Sequence, residues 1–184
     1  MTAQMPDEFC YKGERYSLVG IRGTGLFTPA DFELNPYSTC SACWRGFVMK
    51  YDCVDGKLIL NEMLINVKDP PSINSVEPKP GDDLFEFRYE KLNLKTKFTG
   101  TILLAKDFIR AMYVHMGFQR PMAFKTVIEL RIEDGKIIVE KDLSEKMEEY
   151  RKKDLHKGAQ PQSRSKEDVI NWIEQTFSLD YDLD

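Results

Sequence analysis

Histidine is nearly missing from this sequence and cysteine is sparse: the 184 residues hold two His and four Cys. Four thiols are too few for a disulfide scaffold, and a chain of this length buries about 70% of its unfolded surface without staples. No apolar run approaches the roughly 18 residues of a membrane-spanning helix, so no membrane association is expected. No basic run exceeds Arg151-Lys152-Lys153 and the net charge is −4. Binding to a phosphate backbone leans on clustered Lys and Arg, so no nucleic-acid partner is expected. The opening residues, MTAQMPDEFC, lack the basic flank and apolar stretch of a secretory leader, which points to a cytoplasmic location with reduced thiols.

What is present is hairpin chemistry. Residues 44–54 and 57–67 flank Asp55-Gly56, and residues 123–133 and 136–142 flank Asp134-Gly135. Gly accepts the positive φ of a tight two-residue turn, so both read as β-hairpins. A third, through 8–21, turns at Lys12-Gly13. Pairing outward from Asp55-Gly56 sets Cys53 opposite Leu58, Tyr51 opposite Leu60, Met49 opposite Glu62 and Phe47 opposite Leu64. In the second hairpin Thr126, Ile128, Leu130, Ile132, Ile137 and Val139 share a buried side, while Glu129, Arg131, Glu133, Lys136 and Glu140 share a wet one. Between the hairpins, Leu92, Leu94, Thr96, Phe98, Gly100, Ile102 and Leu104 alternate with polar residues as one long strand. Residues 105–122 fit either a short helix or a strand.

Helical signals gather late. Leu143, Met147 and Tyr150 recur at i, i+4, i+7, and Ser165-Lys-Glu-Asp168 is a capping pattern before VINWIEQTF. The expected fold is α+β, mainly antiparallel: a meander of about eight strands curled into a barrel or half-barrel, with two C-terminal helices. A two-layer sheet with helices on one face is the alternative. Residues 1–184 read as a single domain, with 154–165 a polar linker and 178–184 an acidic tail, flexible or locally packed. Two long loops, 22–39 and 68–83, carry no recognisable chemistry.

The Cys40-x-x-Cys43 spacing invites a metal or redox reading. Cys43 and Cys53, however, lie ten residues apart on a run read as a strand, roughly 33 Å at about 3.3 Å per residue, whereas zinc ligands converge to about 2.3 Å from one ion. A reactive C-x-x-C opens a helix, and this one leads into WRGFVMKY. No metal or cofactor is therefore expected. Gly20-Ile-Arg-Gly-Thr-Gly25 matches neither common phosphate-loop spacing and reads as a turn. Arg45 shares parity with Phe47, Met49 and Tyr51, so its guanidinium needs a carboxylate or a ligand anion. His115 sits alone among apolar residues. The function expected is a non-catalytic binding module for a small anionic ligand or a protein partner, with Arg45, Tyr51 and His115 as ligand-binding residues. The alternative is an enzyme with a site built from Arg45, His115, Tyr51 and Cys43, in which His115 and Cys43 are catalytic.

Overall fold

The computed structural model describes residues 2–153, 161 and 163–181. Its strands are β1 (Glu8–Tyr11), β2 (Glu14–Thr24), β3 (Phe47–Val54), β4 (Lys57–Ile65), β5 (Lys79–Pro80), β6 (Phe87–Lys95), β7 (Thr99–Phe108), β8 (Phe124–Glu133) and β9 (Lys136–Asp142). Seven of them close on themselves in the order β3-β1-β2-β7-β8-β9-β4 and back to β3, and β6 and β5 extend outward from β4. The result is the expected barrel. Four neighbours are sequential antiparallel pairs, three of them joined by tight turns, and β1–β3 is parallel. Closure pairs most barrel strands on both sides and leaves β5 as the outer edge of the sheet. Helix α1 (Ser144–Lys153) packs on the outside of β8, and helix α2 (Lys166–Phe177) follows.

All three tight turns form where the glycines stand. Asp55 and Gly56 take φ of 49° and 72°, and Asp134 and Gly135 take 46° and 72°, the pair of positive angles that matches strand twist. In each Asp-Gly hairpin the register departs from simple pairing at one bulge, and β2 carries another against β7 at Val19. Cys53 and Tyr51 face Leu58 and Leu60 as expected, but the register slips at Asn61, so Met49 faces Met63 and Phe47 faces Ile65. The slip turns Glu62 outward, where it pairs with Lys50 at 3.1 Å, and sends Met63 and Ile65 into the core. Without it a carboxylate would occupy the barrel interior. A second slip at Ile138 sets Val139 opposite Arg131 and Glu140 opposite Leu130. Val139 is therefore exposed rather than buried. Glu140 is exposed, as expected, and accepts from Tyr11 at 2.7 Å and Lys12 at 2.6 Å.

The alternating run read as one strand is two, broken at Thr96–Phe98. There Thr96 N–H donates to Leu58 and Gly135 N–H donates to Phe98, so the chain crosses from β4 to the β8–β9 turn. The ambiguous 105–122 stretch continues β7 to Phe108 and then forms two single turns, Arg110–Met112 and Pro121–Ala123. The interior is filled by side chains, with Met49, Tyr51, Leu60, Met63, Ile102 and Leu104 among those it buries. Both long loops pack on it through Leu34 and Ile73, and core hydroxyls pin them: Tyr51 donates to Phe27 O and Tyr89 to Pro71 O.

The supposed wet side of the second hairpin is dry at one end. Val127 lies fully buried against Leu143 and Met147 of α1. In α2, Ser165 accepts from Asp168 N–H as its sequence pattern predicts. Thr176 is buried, whereas Ile170 and Ile173 stay exposed. Most of the polar stretch 154–165, and residues 182–184 of the tail, lie outside the described residues. Residues 178–181 pack locally: Ile21 N–H donates to Leu179 O at 2.9 Å, on the edge of β2 that the short β1 leaves uncovered.

Candidate functional site

Arg45 occupies a turn, Cys43 to Gly46, closed by Gly46 N–H donating to Cys43 O. Gly46 has φ of 73°, and a Cβ there would sit 2.2 Å from Tyr37 O, so only glycine fits. The turn aims Arg45 at Asp7, just before β1. Its guanidinium donates to both Asp7 oxygens, at 2.9 and 3.3 Å, and to Met5 O. Asp7 also accepts from Met49 N–H at 2.9 Å. This carboxylate is the partner that parity alone demanded for Arg45, held 38 residues upstream in the chain.

The other sequence candidates stand apart. Tyr51 is inside the barrel, stacked on Phe9 at 4.8 Å, and burial holds its phenol well above the ordinary value. Cys43 is buried on the outer side of β3 and β4 with Val48, Leu64 and Phe85. Its thiol donates to Phe47 O and is pushed up by burial, the opposite of what a nucleophile needs. His115 is exposed, edge-on to Tyr113 at 4.8 Å.

The segment between β7 and β8 builds an apolar surface pocket near Arg45 and His115. It crosses the outside of β2 and is sewn down on both sides: Gln4 N–H donates to Gly117 O, and Phe118 N–H donates to Thr176 O. Gln119 staples the loop by exchanging two hydrogen bonds with the Val114 backbone. Beneath it lies an apolar pocket of about 220 Å³ walled by Leu18, Val19, Phe108, Tyr113, Phe118 and Phe124. Phe108 meets Phe124 and Tyr113 edge-on at 5.3 and 6.3 Å. The Arg45 guanidinium lies 5.6 Å from the Phe118 ring and His115 backs Tyr113. Two of the sequence candidates therefore buttress the pocket walls.

Val19, Phe118 and Gln119 also line a larger cleft of about 620 Å³. Its polar groups include Arg22, Arg120, Gln175, Asp180 and Tyr181. Arg120 is partly desolvated, which lowers its pKa while leaving it charged. Arg22 stacks on Tyr181 at 4.7 Å. The Tyr181 hydroxyl lies 2.7 Å from Thr101 Oγ1 and 3.0 Å from Glu129 Oε2, and its phenol is pushed up to about 12, chiefly by burial. Gly20 makes room for that ring: a Cβ there would lie 2.6 Å from Tyr181 Cδ1.

Chemically, the joined pockets offer an aromatic slot, guanidinium groups and amides, and their described lining holds no histidine or cysteine. Sequence reasoning passed over Phe118 and Arg120, which lie in a stretch without periodicity, and over Tyr181 as a site residue, although it belongs to the tail FSLDYDLD, whose apolar and acidic residues alternate. Arg22 was read as part of a turn, but it belongs to β2, which runs on to Thr24. Comparison with family models, curated proteins and solved structures finds no match to this chain.

Proposed function

We propose that the protein is a non-catalytic binding module for a small amphipathic molecule, its apolar or aromatic body in the pocket under Phe118 and its anionic group toward Arg120 and Arg22. The observation that carries this reading is the continuity of an aromatic slot with a cleft that bears guanidinium groups. Ligand sites combine mostly apolar walls with a few placed polar groups in this way. Binding is favoured over an enzyme because Tyr51, Cys43 and His115 occupy three separate environments: barrel interior, buried outer cluster and exposed loop.

An amphipathic aromatic sulfonate, anilinonaphthalene sulfonate, is a direct probe. Fluorescence titration of the folded protein should give one saturable site. Phe118→Ala and Arg120→Gln should each weaken it by about tenfold, corresponding to about 1.4 kcal/mol, with circular dichroism unchanged. Equal affinity in both variants would remove this site. A protein partner is the second reading, favoured by the exposed strip of Trp44, Ile170 and Ile173 beside Phe177, which stacks on Trp44 at 4.9 Å.

A further inference from the structure

The seam that closes the barrel carries a feature that stability alone does not explain. Strands β4 and β9 meet at a single residue pair, Lys57 opposite Lys136. The flanking bonds, Leu58 N–H to Gly135 O and Ile137 N–H to Gly56 O, make it a non-hydrogen-bonded pair, the arrangement that brings facing side chains closest. Two ammonium groups thus face each other where opposite charges would stabilise and like charges destabilise. Lys95 and Lys97 flank the same place, from either side of Thr96 at the β6–β7 turn. Together with Glu133 and Asp134 the four lysines line a cleft of about 460 Å³. Among the described residues none of the four is in an ion pair, although Glu133 stands opposite Lys136 in the β8–β9 ladder. The cleft is therefore net positive on a chain whose overall charge is −4.

A second, independent observation points to a ligand there. Thr96 lines the cleft, is only 4% exposed, and its hydroxyl has no hydrogen-bond partner. An unsatisfied buried hydroxyl costs free energy that a valine of the same shape would avoid. Two local costs at one place, like charges face to face and an idle hydroxyl beside them, are the mark of a site shaped for something other than stability.

We propose that this cleft binds a small phosphate-type oligoanion, held between the ammonium groups of Lys57, Lys95, Lys97 and Lys136 with the Thr96 hydroxyl as an added donor. Lysine ammoniums serve phosphate as point charges. A cleft of about 460 Å³ suits a chain of two or three phosphates better than a single monoanion. Such a ligand bridges β4 and β9, so it reinforces barrel closure where the backbone contributes only one residue pair. This cleft shares no lining residue with the aromatic pocket or its neighbouring cleft, so the two proposals stand or fall separately.

The test is thermal unfolding of the full chain with tripolyphosphate, against sodium chloride at matched ionic strength. An excess of about 100 times Kd should raise Tm by about 5–10 °C beyond the salt control. Lys136→Glu should lose that shift while its ligand-free Tm stays about level, because Lys57 gains an opposite charge as Glu133 gains a like one. Lys125→Glu, with the same charge change outside the cleft, should keep the shift. Thr96→Val should weaken the anion by about fivefold with ligand-free Tm level or higher. A shift equal to that of chloride, or equal in Lys136→Glu and Lys125→Glu, overturns the site. Adenosine triphosphate is the second arm. A shift equal to that of tripolyphosphate assigns recognition to the phosphates alone, and a larger one assigns it to a nucleotide.

Discussion

Asp7 links three parts of the barrel, and removing its carboxylate is the sharpest perturbation the structure offers. The parallel pairing of β1 with β3 spans three residue pairs, and Asp7 stands at its entrance. Its carboxylate accepts from Met49 N–H and from Arg45, and its carbonyl accepts from Leu18 N–H at 2.8 Å. Asp7→Ala leaves the Met49 N–H, on a fully buried residue, without a partner, at a cost of about 1–3 kcal/mol. The Arg45 side chain is 26% exposed and keeps Met5 O, so its loss adds only about 1 kcal/mol. The sum is about 2–4 kcal/mol. With an m-value of about 2 kcal/mol/M, the urea midpoint falls by about 1–2 M. Asp7→Asn keeps an acceptor for Met49 and should cost about half as much. A midpoint for Asp7→Ala within about 0.3 M of the parent would refute the reasoning.

Other perturbations follow from the same geometry. Burial pushes the Cys53 thiol and the Tyr89 phenol up to about 12, so the folded state holds both protons more tightly than the unfolded chain. That stability is complete below about pH 8.5, the unfolded thiol value, and is lost as pH rises toward about 12. Urea melts over a pH series should decline across that window, Cys53→Ala should make the decline between about pH 8.5 and 10 shallower without abolishing it, since the buried Cys43 thiol is raised as well, and a flat profile to pH 11 contradicts the assignment. Under an aromatic disulfide reagent Cys10 and Cys40 should react before Cys43, which is 2% exposed; a fast Cys43 contradicts its burial. Gly20→Val should displace Tyr181, so that one more tyrosine titrates near pH 10 in ultraviolet absorbance. An unchanged tyrosine titration would mean the ring does not depend on the space at Gly20.

Much of this architecture is legible in the chain because its turns announce themselves. Asp55-Gly56, Asp134-Gly135 and Lys12-Gly13 each set a local pairing, and these make three of the barrel's joints. What failed to read out is non-local or irregular. The bulges at Asn61 and Ile138 are single-residue slips whose benefit, keeping Glu62 out of the core and bringing Glu140 to Tyr11 and Lys12, exists only once distant strands are in place. The break at Thr96–Phe98 hides in unbroken alternation because Thr96 and Phe98 are both still buried. The pocket was illegible for a related reason. Phe108, Tyr113 and Phe118 acquire a common direction only when the crossover is sewn to Gln4 and Thr176. The need of Arg45 for a carboxylate was readable, but its identity, Asp7, required the parallel β1–β3 pairing.

The central claim is that the barrel interior is a packed core and that the ligand sits outside it, under Phe118. Methyl-labelled nuclear magnetic resonance with the aromatic sulfonate tests this most directly. Saturable shifts at Val19 and Met122, with Met49, Met63 and Ile102 unmoved, are the predicted result. The largest shifts at Met49, Met63 and Ile102 would contradict it.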